Sequence, residues 1–134
     1  MFLEFPVATK KRDEFVDITG EIREAVKNVK GLSNGQVVVF VPHTTAGITI
    51  NENADPDVVH DMIGQLDSMV PWNNGYRHGE GNSAAHLKAS MMGSSVTLIV
   101  RGGELCLGVW QSVYLCEFDG PRRRRVLVGV LGAP

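Results

Sequence analysis

Two imidazoles and a carboxylate fall within one nine-residue stretch, His78-Gly-Glu-Gly-Asn-Ser-Ala-Ala-His86. His78 and Glu80 are two apart and project to the same side of an extended chain. Asn82 and His86 are four apart and share one face of a helix. Gly79 and Gly81 let the chain bend between the two halves and leave room for a ligand. Two imidazoles with a carboxylate suit zinc, manganese, iron or nickel. The spacing is not HExxH, so the standard metalloprotease pattern is absent. A loop joined to a helix through an Asn82 cap explains the same residues structurally, and both readings can hold together.

A third imidazole, His43, stands in Pro42-His-Thr-Thr-Ala-Gly47, directly after a β-branched run. A residue there is held by the strand while its side chain reaches a cleft. Thr44, Thr45 and the small residues after them could let backbone N–H groups meet an anion. The bland alternative is a histidine capping a tight turn. In Asn51-Glu-Asn-Ala-Asp55, Asp55 belongs to helix entry, Glu52 is a candidate general base and Asn53 a candidate substrate contact. Arg101, at a strand end before Gly102-Gly103, could meet a phosphate or carboxylate, or simply close the strand in solvent. His60, between Asp57 and Asp61, reads as a solvated surface residue. Trp72 and Tyr76 are candidates for a pocket wall or lid, and Trp110 for core or subunit contact.

These residues need elements to position them. Strands are expected at Phe2–Ala8 and Glu14–Asp17, then a helix over Gly20–Val29 capped by Thr19 and ended by Gly31. Gln36–Val41 reads as a strand buried on both faces, and Ile48–Asn51 as a second. Asp55-Pro56-Asp57 starts a helix with its apolar face at Val58, Val59, Met62, Ile63, Leu66 and Met69. Pro71–Arg77 is loop, and Asn82–Met91 a short helix closed by Gly93. The final third alternates strands (Ser95–Val100, Leu105–Trp110, Ser112–Phe118 and Arg124–Leu131) with Gly102-Gly103 and Gly120-Pro121 turns. The order predicts a single α+β domain over residues 1–134, a two-layer, largely antiparallel β-sandwich core with helices packed outside.

The chain has 134 residues, 43% of them hydrophobic and 21% charged, enough for one core without disulfides. A net charge of −2 and a pI near 6.1 argue against nucleic acid as a partner. The basic run Arg122–Arg125 reads as a solvated turn and strand face. Cys106 and Cys116 match no redox or zinc spacing and read as buried free thiols. Met1-Phe-Leu-Glu-Phe-Pro lacks the pattern of a signal peptide, and no segment reads as a membrane span. A reducing cytoplasm is the expected home.

Taken together, His43-Thr-Thr-Ala-Gly-Ile-Thr-Ile-Asn-Glu-Asn53, His78-Gly-Glu-Gly-Asn-Ser-Ala-Ala-His-Leu-Lys88 and Gly108-Val-Trp-Gln111 with the following Gly-Pro-Arg-Arg strand resemble the YjbQ family. The resemblance runs over nearly the whole chain and implies a compact sheet-sandwich fold assembled as a homotrimer. It also implies a pocket into which His43, His78 and His86 project, able to hold a divalent metal ion, with zinc the first choice. Members are named secondary thiamine-phosphate synthases, meaning a weak ability to couple a pyrimidine pyrophosphate with a thiazole phosphate. The sequence has no standard glycine-rich phosphate loop and no Asp-rich magnesium motif. The expected function is therefore a metal-dependent enzyme on a small, phosphorylated or heterocyclic substrate, with Glu80 or Glu52 as base. The alternative is a binding or sensing protein that uses the same pocket without turnover.

Overall fold

A computed structural model describes all residues, 1–134. Its strands are β1 (Phe2–Ala8), β2 (Glu14–Asp17), β3 (Asn34–Phe40), β4 (Ala46–Glu52), β5 (Ser95–Arg101), β6 (Glu104–Leu105), β7 (Gln111–Glu117) and β8 (Arg123–Ala133). Its helices are α1 (Thr19–Lys27), α2 (Pro56–Met69) and α3 (Ser83–Met92). Two antiparallel sheets form, one ordered β1-β8-β3-β5-β6 and the other β2-β7-β4. The α+β sandwich with outer helices is the predicted fold.

Alternation along the strands builds the core. Val37 and Val39 of β3, Leu98 and Val100 of β5, and Val126, Val128 and Val130 of β8 all point inward. They meet Ile48, Val113 and Leu115 from the smaller sheet, and Ile22, Ala25 and Val26 of α1. Roughly 1.5–3 kcal/mol favours burial of each such large aliphatic side chain, which makes this cluster the main stabilising mass. A smaller cluster on the other side of β7 joins Tyr114, Cys116 and Phe118 to Ala85 and Ala89 of α3 and Leu66 of α2.

The doubly buried strand is thus β7, not β3 as expected. Gln36 and Phe40 of β3 are exposed, because the outer face of the larger sheet carries no helix. That face carries exposed apolar side chains among polar ones: Phe2, Phe40, Ile99 and Leu131 are 84%, 41%, 54% and 51% exposed. Register keeps them on one side, with Gln36 opposite both Leu131 and Ile99, and Val38 opposite Gly129, itself opposite Phe2.

Several local expectations change where tertiary contacts compete. Thr19 does not cap α1, because its hydroxyl accepts from the Val113 amide of β7 (2.9 Å), while Asp17 Oδ1 takes the Thr19 N–H (2.9 Å). The expected Leu105–Trp110 strand shrinks to Glu104–Leu105, which leaves Cys106 and Trp110 exposed rather than in the core. Cys116 is buried as expected, and burial pushes its thiol pKa up. In α2, Asp55 accepts from the Asp57 amide (2.9 Å) as the sequence signals, but only Leu66 of its apolar stripe is fully buried. No helix is long and apolar enough to cross a membrane.

Two contacts place α3. Gly47 lets β4 approach it so closely that a Cβ there would stand 2.8 Å from the Gly93 carbonyl oxygen and 2.9 Å from Met92 Cβ. Gly93, at φ 90°, then turns the chain out of the helix toward β5. The same carbonyl accepts from Ile48 N (3.0 Å), which ties the end of α3 to β4.

Candidate functional site

The chain leaves β3 at Pro42, crosses through His43, Thr44 and Thr45, and enters β4. Across from it, His78 to Gly81 form a turn closed by Gly81 N–H donating to His78 O (3.1 Å), and α3 follows. The start of β8 brings Arg122 and Arg124. Together they line a cleft of about 480 Å³ that includes His43, Thr44, Thr45, His78, Glu80, Asn82 and His86. Sequence separation is large, yet the predicted polar groups of both main clusters meet here.

The His78–Glu80 segment is a turn rather than the extended chain expected, but Gly79 and Gly81 still let the two side chains meet. His78 Nε2 lies 3.9 Å from Glu80 Oε2. The His78 and His86 rings stand edge to face with centroids 5.6 Å apart. Asn82 occupies the cap position of α3 without capping it. Its Nδ2 instead donates to Asp119 Oδ2 (2.9 Å), and its Oδ1 is buried with no partner. The Asp119 carboxylate admits only a donor there, which settles the orientation of the amide.

His43 is held differently. Its Nε2 accepts the Arg125 backbone N–H at 3.0 Å. Burial and the nearby Arg124 charge lower its pKa from the ordinary histidine value. Thr45 is locked from below, its carbonyl and hydroxyl both accepting from Arg124 Nη2 (3.2 and 2.8 Å). Thr44 remains exposed at the cleft.

Beneath the floor lies a buried charge pair, which corrects the expected solvated face of Arg122–Arg125: Arg124 is buried, and its partner Glu117 was not singled out in the sequence. Arg124 Nε donates to Glu117 Oε1 (2.9 Å) and its Nη2 to Oε2, and both side chains are essentially inaccessible. Burial alone would raise the Glu117 carboxyl pKa, but Arg124, Thr9 and the Asp119 amide outweigh it and hold it below the usual range. The available signal was alternation: Arg124 faces inward because Arg123 and Arg125, either side of it, face out. Arg122, at the cleft mouth, is braced by Asp119 through two contacts of 2.9 Å.

Glu52, Asn53 and Arg101 do not join this cleft. Glu52 closes β4 at the end opposite Ala46, and an extended strand rises about 3.4 Å per residue, which carries it roughly 20 Å away. Asn53 there binds Ser112 Oγ, and Tyr114 OH donates to the Glu52 carbonyl (3.1 Å). Arg101 is at the far end of β5, exposed. Trp72 packs toward Phe118 under the Arg12 guanidinium (4.6 Å to the ring centre), and Tyr76 OH donates to Pro71 O (2.8 Å), so neither walls the cleft. His60 is exposed beside Asp61, as expected.

The donor set is chemically suited to a divalent ion. Two imidazoles sharing a tetrahedral ion at ~2.1 Å have ring centres roughly 5 Å apart, close to the His78–His86 spacing. Glu80 adds a carboxylate 3.9 Å from His78, and Asn82, whose Oδ1 has no partner, lines the same cleft. In the present rotamers no three histidine, cysteine or carboxylate groups are drawn tightly enough together to enclose an ion.

Residues 3–133 match the family model described as UPF0047 protein YjbQ-like. The UPF0047 protein YugU of Bacillus subtilis is 50% identical over 133 residues, covering 98% of this chain and 100% of its own. A UPF0047 protein of Methanocaldococcus jannaschii is 49% identical, covering 98% and 95%. Among solved structures, an uncharacterized conserved protein of the YjbQ/UPF0047 family from Clostridium acetobutylicum superposes with TM-score 0.94 at 53% identity, covering 96% and 99% of the two chains. A YbjQ-like protein of unknown function from Sulfolobus solfataricus reaches TM-score 0.93 at 33% identity, covering 98% and 96%.

Proposed function

The chain belongs to the UPF0047 YjbQ-like family, and from that premise we propose that it is a metal-binding enzyme acting on a phosphorylated small molecule in the histidine cleft. The reaction assigned is a transfer of the thiamine-phosphate synthase kind. A heterocycle nitrogen forms a bond to a methylene carbon as its C–O bond to pyrophosphate breaks, the pyrophosphate leaving with the electron pair. The observation that carries this reading is the convergence of three imidazoles, Glu80 and Arg122 on one cleft. His78, His86 and Glu80 would hold the ion. What the ion supplies when bound is stabilisation of charge on the departing pyrophosphate. Arg122, fixed by Asp119, adds a cation at the mouth, and Thr44 a hydroxyl. The bond change itself liberates no proton that needs a base, so Glu80 serves as a holding group and Glu52 is not required.

Purified protein should carry about one transition-metal ion per chain. His86→Ala should lose that ion and the transferase turnover with its far-UV spectrum unchanged. Equal metal content in wild type and variant, by elemental analysis, would sink the assignment. Glu80 and His78 side chains are 76% and 44% exposed, and this openness favours a second reading, binding without turnover. It predicts a rise in melting temperature with phosphorylated metabolites and no product formed.

The exposed Phe2, Phe40, Ile99 and Leu131 on the outer sheet face support association, in which neighbouring copies cover them; the homotrimer is the assembly that the family resemblance implies. Light scattering should give three times the chain mass for wild type, and Ile99→Asp should shift it to monomer. An unchanged mass for the variant would remove this face from the interface. We also propose a reducing cytoplasm as its home, a reading that the two free thiols fit.

A further inference from the structure

We infer that His43 is a fixed hydrogen-bond donor to a phosphoryl oxygen of the substrate, through Nδ1–H, and not a ligand to the metal. This rests on the reading of the cleft given above. β3 pairs with β8 up to Phe40 opposite Leu127. Continuing that register by two residues would set Pro42 opposite Arg125, but the chain has left the ladder there. The Arg125 N–H of β8 therefore loses its strand partner, and the His43 imidazole takes that place, Nε2 accepting at 3.0 Å.

A backbone N–H can only donate, so Nε2 must carry a lone pair and the ring proton must sit on Nδ1. Turning the ring over would set a C–H against the amide, which excludes the reverse assignment. A metal could reach Nε2 only by breaking the Arg125 bond and orphaning that amide. It could reach Nδ1 only after expelling its proton. Neither cost attaches to His78 or His86, whose ring nitrogens make no backbone hydrogen bond. Nδ1 of His43 has no partner in the chain, and the ring lines the same cleft as Arg122 and Thr44. An N–H, an arginine and a hydroxyl lining one cleft make a donor set for phosphoryl oxygens. The imidazole is thus a β-ladder extension on one side and a substrate contact on the other.

Histidine-selective ¹⁵N NMR tests the tautomer directly. His43 should show a pyridine-type Nε2 and a pyrrole-type Nδ1, unchanged when Zn²⁺ is added, while His78 and His86 respond. Titration calorimetry with inorganic pyrophosphate supplies the second readout. His43→Ala should weaken pyrophosphate binding roughly ten- to a hundredfold with metal content kept, and His43→Asn, which returns an N–H, should recover part of it. A purely structural histidine would alter the melting temperature and leave that affinity unmoved. An Nε2–H tautomer, a His43 signal that moves on adding Zn²⁺, or unchanged pyrophosphate affinity in His43→Ala overturns the inference. Wild-type protein that binds no metal overturns the preceding metal reading instead, and the tautomer is then judged alone.

Discussion

Arg124→Ala should lower the unfolding free energy by about 3–5 kcal/mol, the cost typical of breaking one side of a buried ion pair. Glu117 and Arg124 are 0% and 4% exposed, so neither can recover its hydration by a rotamer change. Without Arg124, the Glu117 carboxylate keeps Thr9 Oγ1 and two backbone amides but no charge partner. Such a loss is a large part of the 5–15 kcal/mol that stabilises an ordinary domain. It also frees Thr45 and therefore the floor of the cleft. The double variant Glu117→Leu/Arg124→Met should be more stable than Arg124→Ala, because no lone charge remains. Urea denaturation of the three proteins checks this, and a single-variant loss under about 1 kcal/mol would contradict the burial argument.

The pair also sets a pH dependence. Glu117 has a lower pKa folded than unfolded. Its stabilisation is therefore present above the unfolded value of about 4.3 and is lost as pH falls through the folded value. In Arg124→Ala, burial is opposed by fewer partners and the carboxyl pKa rises. The share of acid sensitivity that Glu117 contributes should then shrink, and the stability gap between the variant and wild type should narrow as pH falls.

Lys88→Ala should cost about 3 kcal/mol or more, with loosening concentrated in α2. Lys88 is fully buried, and its Nζ donates to Asp13 Oδ2 (2.8 Å) and Asp67 Oδ1 (3.0 Å), 5.8 Å from the Phe118 ring centre. Arg12 closes the network, with Nε on Asp13 Oδ1 (2.7 Å) and Nη2 on Asp67 Oδ1 (2.9 Å). The network ties the β1–β2 turn, α2 and α3 together, and α2 has little else, burying fully only Leu66. Amide exchange across α2 should accelerate in the variant more than exchange in β3 or β8. The Lys88 hydrogen bond, against opposing burial, holds the Asp67 pKa below normal. Lys88→Met should therefore let it climb, and the share of acid sensitivity that Asp67 contributes should shrink. Uniform loss of protection across the fold would contradict a local tether.

Much of the fold was legible because its signals are local. β1 and β2 were bounded by composition alone, the Asp55-Pro56-Asp57 start of α2 is a capping chemistry set within three residues, and Gly93 closes α3 by its own positive φ. Where the reading failed, a distant group had competed. Thr19 gave its hydroxyl to β7, and of Leu105–Trp110 only Leu105 found a partner strand.

The candidate site divides the same way. Spacing alone linked His78 to Glu80 and Asn82 to His86, since residues so close in sequence must be close in space whether the chain turns or extends. Resemblance to a family, not spacing, brought His43 to them. Strand geometry then separated what adjacency had suggested: Glu52 and Asn53 follow His43 by nine and ten residues, but an extended β4 moves them to the other end of the sheet. Arg124, Glu117 and Lys88 were hidden because a charge inside an apolar pattern reveals its partner only when the strands are paired. The tautomer of His43 was hidden for the same reason. It depends on where β3 stops along β8, a register that only the packed sheet defines.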